Sequence, residues 1–151
     1  MRHILTTIAI LFATQAFAGD APIRWTGDQT EAFFKGSDHP VSVVRGDTPL
    51  HNPINIRCRS SAGCVVMIAG SDLESGTVGT WLCGEVDSTP AMPGCAFEGG
   101  DNPFHRIHQQ ARIAAGVHTL DLIYHSDNTT GTISSWEVEY RIYERPVPPP
   151  P

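Results

Sequence analysis

Trp136, Val138, Tyr140 and Ile142 alternate with Glu137, Glu139, Arg141 and Tyr143. A period of two places the two sets on opposite faces of an extended chain, so this run reads as a strand with one buried face. The pattern recurs. Leu120, Leu122 and Tyr124 share one side of Val117 to His125, with Thr119 and Asp121 on the other. Ile54, Ile56 and Cys58 alternate with Asn55, Arg57 and Arg59. Cys64 to Ala69 is apolar throughout, which suits a strand buried on both faces. Val78 to Val86 holds Trp81 and Cys83, Val41 to Arg45 supplies an earlier strand, and Ala32-Phe33-Phe34 another. Gly, Pro, Asp, Asn and Ser separate these runs. About seven strands at this spacing predict an all-β fold, an antiparallel immunoglobulin-like β-sandwich. Ser126 to Gly131 reads as a hairpin loop between the last two strands, and Ser60-Ser61-Ala62-Gly63 as the turn of an earlier hairpin.

One stretch fits two periods. Asn102-Pro103 followed by Phe104, Ile107, Ala111 and Ala114, closed by Gly116, carries a helix cap, an N1 proline and a stop signal. The same residues alternate as His105, Ile107, Gln109, Ala111 and Ile113. Because the flanking elements are β and sequential strands commonly pair, residues 103–115 are read as a strand, with the helix as the alternative.

The domain is expected to span residues 19–145. Before it, Arg2 and His3 precede an apolar run from Ile4 to Ala13, and Ala16-Phe17-Ala18 offers small residues where a signal peptidase reads them. Residues 1–18 are therefore expected to be a signal peptide cleaved after Ala18, which implies a periplasmic or extracellular protein. The run is too short to span a bilayer, and no transmembrane segment is expected. Asp20 to Thr30 reads as an entry segment with Trp25 packing as a lid. Residues 146–151, with five prolines, read as an extended, disordered tail. Without the leader, 133 of the 151 residues remain, with sixteen acidic and nine basic side chains; Lys35 is the sole lysine. An acidic chain with scattered arginines has no electrostatic footprint for nucleic acid.

The cysteines are Cys58, Cys64, Cys83 and Cys95. An even count in an exported chain predicts two disulfides, with three connectivities open. Turn-rich segments between 58 and 64 and between 83 and 95 favour pairing Cys58 with Cys64 and Cys83 with Cys95. The gaps are wrong for zinc pairs, and no Cys-x-x-Cys redox motif occurs.

Cys58 with Gly63-Cys64, Trp81-Leu82-Cys83 with Val86-Asp87, Pro93-Gly94-Cys95, Gly116-Val117-His118-Thr119-Leu120 and Tyr140-Arg141-Ile142-Tyr143 together resemble a group of small exported Gram-negative bacterial β-sandwich proteins of unassigned function. The resemblance covers about residues 54–144. It implies a fold and a compartment and transfers no catalytic residue.

No catalytic, cofactor or metal set assembles from spacing alone. His105 and His108 would share a face on a helix and oppose one another on a strand. His118 and His125 have opposite parity, and no His-Glu-x-x-His or calcium-loop motif is present. Ser37-Asp38-His39 holds triad residue types side by side, but triads are defined in space, and Gly36-Ser37-Asp38 and Gly70-Ser71-Asp72 read as turns. Glu137/Glu139 should be solvated. Glu85 and Asp87, on the Trp81 side at the sandwich rim, are the carboxylates to watch for a cation or cationic partner. Asn128-Thr129-Thr130 is formally a glycosylation sequon. The expected function is a non-enzymatic binding, structural or accessory module without a cofactor. Its partner stays open, with another envelope or extracellular protein considered. The alternatives are a secreted hydrolase or metal-dependent enzyme using the histidines with Glu85/Asp87, and an inhibitor or adhesion subunit presenting the Cys83–Cys95 loop.

Overall fold

The computed structural model describes residues 29–75, 80–98 and 104–145. The expected signal peptide, Trp25 and the proline tail lie outside these residues. The described chain is all β, in nine strands: β1 (Gln29–Ser37), β2 (Val41–Pro49), β3 (Ile54–Cys58), β4 (Cys64–Ser75), β5 (Thr80–Val86), β6 (Thr89–Pro90), β7 (Ala96–Glu98), β8 (Phe104–Ile113) and β9 (Gly116–Glu144). None of its elements is a helix long and apolar enough to cross a membrane.

All nine strands join one antiparallel sheet, with β9 as its spine. Along one side of β9 run β1, β2 and β3 in turn, from Gln29 opposite Tyr143 to Cys58 opposite Gly116. Along the other side run β4, from Cys64 opposite Glu144, and then β5, ending with Val86 opposite Leu120. Strand β8 extends the sheet beyond β4, and β6 and β7 extend it beyond β5. The sheet curls until β8 meets the segment after β6, where Met92 and Gln110 exchange two backbone hydrogen bonds of 2.8 and 2.9 Å.

The expected all-β, antiparallel, doubly disulfide-bonded fold is present, as one curled sheet. Ser126 to Gly131 is not a hairpin loop. These residues stay in β9, because β2 satisfies their backbone: Gly46 lies opposite Ser126 and Val44 opposite Thr130, with a register shift between them. A second shift lies between Leu73 and Glu74 on the other side. Extra residues of this kind bend a strand, which lets one long strand serve both halves of a curled sheet. Nor do Ile54–Cys58 and Cys64–Ala69 pair as a hairpin, since β3 lies beside the start of β9 and β4 beside its end. Cys58 bonds to Cys64 across that separation, with Cα atoms 5.8 Å apart, and Cys83 bonds to Cys95. Gly70-Ser71-Asp72 is likewise not a turn but the middle of β4.

Residues 104–113 form a strand, so His105 is buried and His108 is exposed. The concave face gathers Leu120, Leu122, Tyr124, Ile133, Trp136, Val138, Tyr140 and Ile142 from β9 alone, packed on Val66, Ile68, Leu82 and Ile107. The alternation read around Trp136 is thus the core stripe of the spine.

Candidate functional site

The segment between Cys83 and Cys95 is built to hold one shape. Strand β5 turns into β6 through Asp87 and Ser88, both at positive φ (51° and 59°), the geometry of a two-residue type I′ hairpin. The chain then arcs over the end of β8 and returns as β7, while the disulfide joins its base. Gln109, on β8 and 3% exposed, reaches beneath the arc. Its Oε1 accepts from the Gly84 N–H at 2.7 Å, and its Nε2 donates to the Gly94 carbonyl. Gly84 has to be glycine for this, because a Cβ there would stand 2.6 Å from Gln109 Oε1 and 2.8 Å from Ile68.

Between the arc and the end of β8 lies an open groove of about 540 Å³. Ligand sites typically occupy about 300–1,000 Å³. Buried Val65, Val86 and Ile113 line its depth, exposed Met92 and Ala114 its mouth, and Arg112 its rim. At one end His118 closes on Asp87, with Nδ1 2.6 Å from Oδ2 and Nε2 3.0 Å from the Ala114 carbonyl. Both neighbours only accept hydrogen bonds, so both are satisfied only when both ring nitrogens carry protons. Burial works against that charge, but the Asp87 and Ala114 bonds outweigh it and raise the His118 pKa above its ordinary value. The His118 bond, joined by the Thr119 N–H at 2.9 Å, holds the Asp87 carboxyl below the usual carboxylate range. In its protonated form His118 is a clasp that donates to both Asp87 and the Ala114 carbonyl.

Glu85 and Asp87 do not act together. The positive-φ turn sends Asp87 to His118, while Glu85 stays on β5 opposite Asp121 on β9. Burial, then Asp47 and Asp121, raise the Glu85 pKa, and burial raises that of Asp121. Glu139 forms an ion pair with Arg141 at 2.6 Å, and Glu137 accepts from Ser71.

The other described histidines are dispersed. His39 is exposed in the β1–β2 turn, where its N–H binds Ser37 Oγ at 3.0 Å. His51 contacts the Asn52 carbonyl and the Tyr140 hydroxyl, each at 2.8 Å. His125 pairs with Asp47 at 2.6 Å, which raises its pKa, and its ring lies 5.2 Å from that of Trp81. Among the described residues, no three His, Cys, Asp or Glu side chains converge as a metal site.

Sequence reasoning missed a buried chain of polar groups. His105 Nδ1 lies 2.8 Å from Asp72 Oδ1, and Nε2 lies 3.1 Å from Thr80 Oγ1. The connectivity is that of a hydrolytic triad, but all three residues are at most 1% exposed, which leaves no approach for a substrate. The available signal was parity: once β8 is a strand, His105 shares a face with Ile107 and Gln109. Parity placed Gln109 on the buried face but not beneath the arc, and Arg112 reads in the sequence as an ordinary exposed position.

No known family model matches this chain, and no curated protein sequence matches it. Among solved structures it is similar to the EclA C-terminal domain, a sugar-binding protein, with a TM-score of 0.46 and 11% identity over 83% of this chain and 87% of that chain. The two disulfides suit an oxidising, exported environment.

Proposed function

We propose that this chain is an exported, non-enzymatic binding module that takes a small ligand in the groove between the Cys83–Cys95 arc and the end of β8. Residues 1–18 act as its cleaved leader and deliver it to the periplasm or beyond. The observation that carries the reading is the pairing of an apolar groove with a rigid frame. The disulfide, the Gln109 bridge, the Met92–Gln110 backbone pair and the His118–Asp87 clasp all hold the walls rather than offer reactive atoms. A pre-formed site lowers the ordering cost of binding. The histidine at the groove has both ring nitrogens hydrogen-bonded to the frame.

The test is an uncharged apolar probe, 1-decanol, titrated into the isotopically labelled protein. Amide shifts should saturate and cluster at Val86, Ala91, Met92, Ile113 and Ala114. Ala114→Trp, at an exposed position on the mouth, should abolish them without changing the fold's spectrum. Shifts spread over the surface, or unaffected by the tryptophan, would sink the groove reading.

A second reading has its own observation. Met92 is 67% exposed and Phe97 54% exposed on the same braced segment, as a presented protein-binding loop would be. Phe97→Ala, at a residue outside the groove lining, should then abolish capture of a protein partner from an envelope extract while leaving decanol binding intact. Loss of decanol binding alone would exclude that second reading.

A further inference from the structure

We infer that the groove selects a small amphipathic anion, an apolar body bearing one carboxylate, which it holds through Arg112. This deepens the groove reading and rests on it. Three observations converge.

The charged side chains at the groove make one pair and leave one cation over. Three charged side chains line it: Asp87, His118 and Arg112. The first two neutralise one another at 2.6 Å, and Asp87 also accepts from the Thr119 N–H. The Arg112 guanidinium has no hydrogen-bonding or ion-pairing partner among the described residues, although its backbone pairs with Val65 in the sheet. It is a cation without a counter-ion in a chain of net charge −6.

The lining beside it is aliphatic. Val86 and Ile113, 5% and 9% exposed, stand beside exposed Pro90, Met92 and Ala114, so the lining is hydrocarbon, while the guanidinium sits at the open rim. That polarity, apolar inside and cationic outside, is the complement of an acyl carboxylate. A guanidinium presents parallel N–H groups that match the two oxygens of a carboxylate, which a point-charge ammonium does not.

The acidic groups are elsewhere. Asp47, Glu85 and Asp121 are clustered by their mutual effects on Glu85, and none of them lines the groove. A cationic amphiphile would find no free carboxylate there, because Asp87 is taken by His118.

The experiment compares three ten-carbon probes below their micelle concentrations: decanoate, 1-decanol and decyltrimethylammonium. Each is titrated by calorimetry and amide shifts into the full chain and into Arg112→Gln and Ala114→Trp. Decanoate should bind about tenfold or more tighter than decanol, as a charge-assisted contact predicts. Added salt should weaken decanoate alone, since the contact is at an exposed rim. Arg112→Gln should bring decanoate down to decanol while leaving decanol unchanged, and Ala114→Trp should abolish both. Equal binding of decanoate and decanol, or tighter binding of the cation, would overturn the anion and leave the groove reading standing. Absence of saturable groove shifts with all three would overturn both. A membrane surface is the other source of acyl anions. Sedimentation with phosphatidylglycerol vesicles that depends on Arg112, without decanoate binding, would also overturn the inference.

Discussion

Replacing Gln109 with alanine should cost more than any other single polar substitution around the groove, and the structure gives the size. The side chain is 3% exposed and supplies both halves of a bridge, from the Gly84 N–H to the Gly94 carbonyl. Its removal strands a donor and an acceptor, each worth about 1–3 kcal/mol when left unmade in the interior. Gly94 is only half-buried, so water recovers part of its share, and a total of about 2–4 kcal/mol follows. For a domain of this size that corresponds to a Tm lower by roughly 6–15 °C. Circular dichroism melts give the magnitude. Amide exchange gives the place: Ala91, Met92 and Gly94 should lose protection while the spine keeps its own. Gln110→Ala is the control, because Gln110 meets the arc only through its backbone, and its loss should stay within about 0.5 kcal/mol. Gly84→Ala attacks the same bridge from the other side, since its Cβ would crowd Gln109 Oε1 and Ile68. A Gln109→Ala protein that melts within a degree or two of the wild type, with arc amides still protected, would refute the claim that this bridge holds the wall.

The clasp makes stability pH-dependent in a defined direction. His118 has a raised folded pKa, so its contribution is complete below its unfolded value near 6.5 and is lost as pH rises through the folded one. Asp87 has a lowered pKa, so its share is complete above about 3.9 and is lost as pH falls through the folded value. Melts should therefore weaken from pH 6 to pH 9, and Asp87→Asn should return the His118 ring proton titration to or below its ordinary midpoint. An unchanged midpoint would show that the pair does not form. The disulfides differ in reach, with separations of 12 and 6 residues. Chain entropy assigns about 3 kcal/mol to Cys83–Cys95 and about 2 kcal/mol to Cys58–Cys64, which denaturant melts of the paired serine variants should rank in that order. Gly63→Ala should cost about 2 kcal/mol or more, because φ is +85° and its Cβ would meet the Ile113 carbonyl oxygen at 2.6 Å. Gly46→Ala, at φ +102° but with open space around it, should cost only the backbone strain, ~1 kcal/mol. Equal losses in urea melts would show that the close approach at Gly63 is relieved.

The strands were legible because period two is a local property. Trp136 to Ile142, Leu120 to Tyr124 and His105 to Ile113 each announce their buried face. Their partners were not legible, because pairing is decided by the curl of the whole sheet. Ser126 to Gly131 is turn-forming by composition, yet it continues a strand, since β2 offers the hydrogen bonds that a loop would have sought from water. Gly70-Ser71-Asp72 misleads in the same way: Asp72 is buried because His105 stands opposite it. Of the site, the cysteines and Asp87 were visible, whereas the bond from Asp87 to His118 spans 31 residues and depends on two positive-φ positions that no local pattern announced.

The groove joins elements from both arms of the curled sheet, and this explains why so many of its polar groups are spent on structure. One wall is β8, which hangs from β4 on the far arm, and the other is the arc carried by β5 on the near arm. The two arms meet along β9, and their spacing at the groove is set by contacts across the gap. Gln109 sets it at the inner end, and Met92 with Gln110 sets it midway. His118, at the start of β9, ties the end of β8 through Ala114 and the hairpin through Asp87, so a single cation fixes both walls at the outer end. Both ring nitrogens donate only while the histidine is protonated, so this tie weakens as pH rises. Arg112 is left as the one charged group at the groove that the frame does not consume. Recognition of a ligand's charge therefore falls to a residue whose loss should leave the walls in place.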